Sequence, residues 1–60
     1  MRTKELLRLL NKNGITLVRH GSNHDVYYSP ITEKTFPVPR HTNEIKTATL
    51  KSILRSAGLE

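Results

Sequence analysis

Sixty residues with ten Lys and Arg against five Asp and Glu, a net charge of +5 and a pI near 10.1, make a short and strongly basic chain. That length allows one small domain over residues 1–60, and the charge favours a polyanionic partner, although a basic surface also serves solubility alone. Without cysteine there is neither a disulfide framework nor a thiolate metal site, and no apolar run approaches the ~20 residues that span a membrane.

The opening segment predicts a helix. Thr3 stands as its N-cap, Glu5 suits the positive end of the dipole, and Leu6, Leu7 and Leu10, with Leu9 at the flank, make an apolar stripe that Asn13-Gly14 ends. With Lys4, Glu5 and Arg8 among the leucines it has no signal-peptide core, so the cytoplasm is the expected location. Ile15 to His20 is rich in β-branched residues and reads as a strand. Gly21-Ser22-Asn23 supplies turn chemistry, and His24 to Ser29 follows as an antiparallel partner. After a polar turn from Pro30 to Lys34, Thr35 to Val38 predicts a brief third strand that Pro37 and Pro39 confine to a sheet edge. The closing segment is helical in character from about Glu44. Thr47 caps its main body, Leu50, Ile53, Leu54 and Ala57 lie on one face, and Gly58 is the stop.

The predicted class is therefore α+β in the order α-β-β-β-α, a three-stranded antiparallel sheet with both helices on one face. The expected core is Leu6, Leu7, Leu10, Ile15, Leu17, Val26, Tyr28, Phe36, Leu50, Ile53 and Leu54. Strand parity is the weak point of that set, because a slip of one residue reverses every side chain on a strand.

The chemistry-bearing residues are few. There is no phosphate-binding Gly-rich loop followed by Lys, and no Ser, His and Asp at a diagnostic spacing. His20, His24 and His41 match no standard metal-ligand spacing, so neither a metal nor a cofactor is expected. RNA cleavage needs less machinery. The 2′-hydroxyl is an internal nucleophile, and a protein need only align it, move protons and stabilise phosphoryl charge. His24, directly after a tight turn, is the candidate proton-transfer group. The Gly21, Ser22 and Asn23 turn, Arg19, Arg40 and Lys51 are the candidate phosphate contacts, with His41 and Tyr27 as possible supports. Each has a plainer reading as a half-buried histidine, an ordinary hairpin turn or a solvated charge. On the residues alone a non-catalytic RNA-binding or partner-binding module is the stronger alternative.

A resemblance changes that balance. Gly21-Ser22-Asn23-His24 with Val26 and Tyr27, then Val38-Pro39-Arg40-His41, Glu44-Ile45-Lys46, Thr49-Leu50-Lys51-Ser52-Ile53-Leu54 and Ala57-Gly58-Leu59 together resemble the HicA toxins of bacterial toxin–antitoxin systems. The resemblance implies a fold like the double-stranded RNA-binding domain. It also implies a metal-independent endoribonuclease, an mRNA interferase that arrests translation until a cognate HicB antitoxin masks it. The family's catalytic histidine carries over to His24; many members have Gly-Ser-His without an intervening residue, so Asn23 is a one-residue departure. The expected substrate is mRNA in single-stranded or unpaired regions. A masking partner would cover His24 and offer acidic residues to Arg19 or Arg40.

Overall fold

The computed structural model describes residues 1–60. Helix α1 spans Thr3–Lys12, strands β1, β2 and β3 span Thr16–His20, His24–Ser29 and Lys34–Pro39, and helix α2 spans Thr47–Ala57. The sheet order is β1-β2-β3 and both pairings are antiparallel. The α-β-β-β-α order and the α+β class are those expected from the sequence.

Both helices start differently from expectation. Arg2 and Lys46 occupy the N-caps, and neither caps with its side chain. Tertiary pairing replaces the cap of α1. Arg2 forms an isolated antiparallel bridge with Glu44, Ile45 N–H donates to the Met1 carbonyl at 2.8 Å, and Thr3 N–H donates to the Asn43 carbonyl at 3.0 Å. The Thr3 hydroxyl, free of capping duty, donates to the Thr42 carbonyl. The far end of α2 follows expectation. Gly58 takes a left-handed conformation (φ +80°), and Leu59 N–H donates to the Leu54 carbonyl at 2.9 Å. A side chain at Gly58 would be strained, because its φ is left-handed and a Cβ there would stand 2.6 Å from Ile31 Cγ2.

Strand parity reverses the expected assignment of β2. Asp25 pairs with Val38 and Tyr27 with Phe36, while Val26 pairs with Pro37 and Tyr28 with Thr35. Phe36 and Val38 are buried against the helices, so Asp25, Tyr27 and Ser29 face inward and Val26 and Tyr28 face out. Tyr27 lies over Phe36 with ring centroids 6.5 Å apart, and the outward tyrosine is Tyr28. The inward polar groups are satisfied. Ser29 Oγ donates to the Ala57 carbonyl at 2.6 Å and accepts from Ile31 N–H at 3.2 Å, which pins the β2–β3 turn to the end of α2.

Leu17 also leaves the expected core. It lies opposite Tyr27 on the edge strand β1 and is 43% exposed, and a register irregularity between Leu17 and Arg19 leaves Val18 outside the ladder. Strand β3 is longer than expected, six residues instead of a brief run, and its prolines sit on an edge strand as the sequence required. The buried core is Leu6, Leu10, Ile15, Phe36, Val38, Ile45, Ile53 and Ala57, with Leu7, Tyr27, Leu50, Leu54 and Leu59 packed partly against it.

Candidate functional site

The turn before β2 is built from backbone contacts. Gly21 N–H donates to the His24 carbonyl at 2.7 Å. A Cβ on Gly21 would stand 2.4 Å from that oxygen, so the approach demands glycine. The Ser22 and Asn23 N–H groups make no backbone hydrogen bond. From the other side, Arg40 N–H donates to the Asn23 carbonyl at 3.2 Å and its guanidinium donates to the Gly21 carbonyl at 2.8 Å. The same guanidinium lies 3.5 Å from Asp25 Oδ1, which also accepts from His20 Nδ1 at 2.8 Å. His20, Asp25 and Arg40 thus form a clasp around the turn. The His20 hydrogen bond is the chief reason the Asp25 carboxyl titrates below its ordinary value of 3.8; burial opposes it, and the charges of His20 and Arg40 lower it further.

His24 has different surroundings. It opens β2 opposite Pro39, its ring is exposed, and no side-chain hydrogen bond holds it. It lines a groove of about 350 Å³ between the β3 edge and α2, whose walls include Pro37, Pro39 and the hydroxyl residues Thr49, Ser52 and Ser56. Those three follow a 3–4 spacing along α2 and share a face. An imidazole at the end of a hydroxyl-lined groove can exchange a proton with a bound group, while the hydroxyls donate to its oxygens.

Thr49, Ser52 and Ser56 were not among the expected site residues. Their spacing was visible, but nothing in it said that this face would lie beside His24, since that depends on how α2 packs along β3. Of the expected site residues, the structure brings together Gly21, Asn23, His24 and Arg40. Ser22 is exposed at the tip of the turn, and Arg19, His41 and Lys51 are exposed outside the groove. Arg40 is tied into the turn, so its first duty is positioning. Tyr27 is on the helix-covered face, where burial raises its phenol pKa above 10.0, and it does not reach the groove. No three His, Asp or Glu side chains gather closely enough to hold a metal ion.

A toxin family, described as the HicA toxin of bacterial toxin–antitoxin systems, matches residues 3–59. The chain belongs to the HicA toxin family. No curated protein and no solved structure matches it. Membership places this HicA protein among the toxins of toxin–antitoxin pairs, a setting that implies an antitoxin partner. No helix of the HicA chain is long and apolar enough to cross a membrane.

Proposed function

We propose that this HicA toxin is a metal-independent endoribonuclease acting in the cytoplasm on single-stranded or unpaired mRNA, so arresting translation, and that a HicB-type antitoxin silences it by covering His24. The observation that carries the reading is the unbonded His24 imidazole at the end of the hydroxyl-lined groove, in a chain of this toxin family.

In the proposed reaction the 2′-oxygen attacks the adjacent phosphorus and the bond from phosphorus to the 5′-oxygen breaks. His24 takes the 2′-hydroxyl proton or supplies the proton that the 5′-oxygen gains, and solvent water makes the other transfer. The products are a 2′,3′-cyclic phosphate and a 5′-hydroxyl. The Ser22 and Asn23 N–H groups and the hydroxyls of Ser52 and Thr49 donate to the phosphoryl oxygens, and the His20, Asp25 and Arg40 clasp keeps the turn in shape for them.

One observation favours a second reading, a non-catalytic RNA-binding or partner-binding module: none of the ten Lys and Arg lines the groove. Incubation of the purified chain with labelled single-stranded RNA in excess EDTA separates the two. Cleavage leaving cyclic phosphate ends supports the ribonuclease, whereas salt-sensitive binding without cleavage selects the binding module.

A further inference from the structure

The largest cleft of the molecule, about 590 Å³, is separate from the His24 groove and lies between the start of α1 and the loop after β3. Its lining includes Arg2, Lys4, Arg40, Thr42, Asn43 and Glu44, three cations against one carboxylate. The two ion pairs in the protein both converge on Asp25, so Arg2 and Lys4 are not neutralised by any acid, Glu44 included. The walls are held by backbone: the Arg2–Glu44 bridge, Thr3 N–H to the Asn43 carbonyl and Ile45 N–H to the Met1 carbonyl. Only the side chains remain to be ordered by a ligand.

We propose that this cleft binds the phosphate backbone of single-stranded RNA, with Arg2 and Lys4 as the contact residues; the inference rests on the ribonuclease reading above and extends it. Leu7 is the one apolar residue in the lining, which leaves nothing to anchor the apolar centre of a protein interface. Unpaired cations over a polar floor suit phosphates instead. Continuity with the reacting site comes from Arg40. It lines the cleft while its backbone and guanidinium hold the carbonyls of Asn23 and Gly21, so a strand reacting at His24 passes over Arg40 toward Arg2 and Lys4. The cleft thus places beyond the groove the positive charge that the groove's own lining lacks.

The test is the salt dependence of binding to a 2′-O-methyl single-stranded oligonucleotide, which lacks the nucleophile and cannot be cut. Arg2→Gln/Lys4→Gln should flatten the plot of log K against log salt by about 1.4, at ~0.7 for each single-strand phosphate no longer neutralised. With the 1 M intercept unchanged, that slope difference corresponds to a fall in affinity of roughly 25-fold near 0.1 M salt. Lys4→Gln alone leaves the Arg2 bridge to Glu44 untouched and should give about half the change in slope. Lys12→Gln/Lys34→Gln removes the same charge at the end of α1 and the start of β3 and should change the slope by less than half as much. Equal slopes for the wild type and the cleft variant, or an equal effect of the distant pair, would overturn the proposal while leaving the ribonuclease reading standing. An unchanged slope together with a failure to bind the antitoxin would overturn it too and reassign the cleft to the antitoxin. Failure of the wild type to bind any RNA would remove both readings together.

Discussion

His20 and His24 flank one turn and differ in what holds them. His20 Nδ1 is bonded to Asp25, whose side chain is only 15% exposed, while the His24 ring is unbonded at the groove. The Asp25 interaction is ionic and therefore depends on pH. Its carboxyl pKa is depressed in the folded protein, so the stability it contributes is present above the unfolded value of 3.8 and is lost as pH falls through the lower folded value. Asp25→Asn should therefore melt below the wild type at pH 6, and the gap between the two melting temperatures should close as pH is lowered below 3.8 and through the depressed folded value. Thermal melts from pH 6 to pH 2 measure this, and a gap constant across that range would show that the clasp is not ionic.

Between elements, the tightest approach is in the β1–β2 hairpin. Gly21→Ala would drive a methyl group to within 2.4 Å of the His24 carbonyl oxygen, and the backbone must shift to relieve it. Overpacking of this kind costs about 1–3 kcal/mol, so the melting temperature should fall by roughly 4–8 °C for each kcal/mol. Cleavage should fall as well, because the displaced residue carries the proposed catalytic ring; a variant that melts and cuts like the wild type would show that the turn tolerates a side chain. The hairpin also shows where legibility ended. β2 was found to the residue, because turn chemistry and β-branched content are local signals. Its facing was reversed because Val26 and Tyr28 alternate with Asp25 and Ser29, and polarity alone points the apolar pair inward. The structure turns the polar pair in, since His20 and Arg40 satisfy Asp25 and the Ala57 carbonyl satisfies Ser29. Phe36 and Val38 on β3 carried the correct parity, and only the pairing register links them to Tyr27 and Asp25. The cap residues failed for a related reason, since Thr3 and Thr47 have good capping chemistry but the chain entering α1 is already paired with residues 43–45.

At the scale of the whole molecule there are two candidate surfaces, and Arg40, which lines the second, holds the turn that leads into the first. One is the His24 groove along β3 and α2, and the other is the cationic cleft at the start of α1. Of these, His24 and its turn were legible from a short motif. The groove was not, because its far wall comes from α2, more than twenty residues away. The expected cation set is only partly placed: Arg40 belongs to the turn, Arg19 and Lys51 stand outside the groove, and Arg2 and Lys4 were not among the expected phosphate contacts. The proposed mechanism assigns the chemistry to the groove histidine and not to its clasped neighbour. Single-turnover cleavage of single-stranded RNA in EDTA by His24→Ala and His20→Ala, each shown to be folded by circular dichroism, decides between the two rings. We expect a fall of about 10²–10⁴ for His24→Ala, the usual worth of general acid–base catalysis, and a rate within about tenfold of the wild type for His20→Ala. Full activity in His24→Ala, or an equal loss in both, would contradict the assignment.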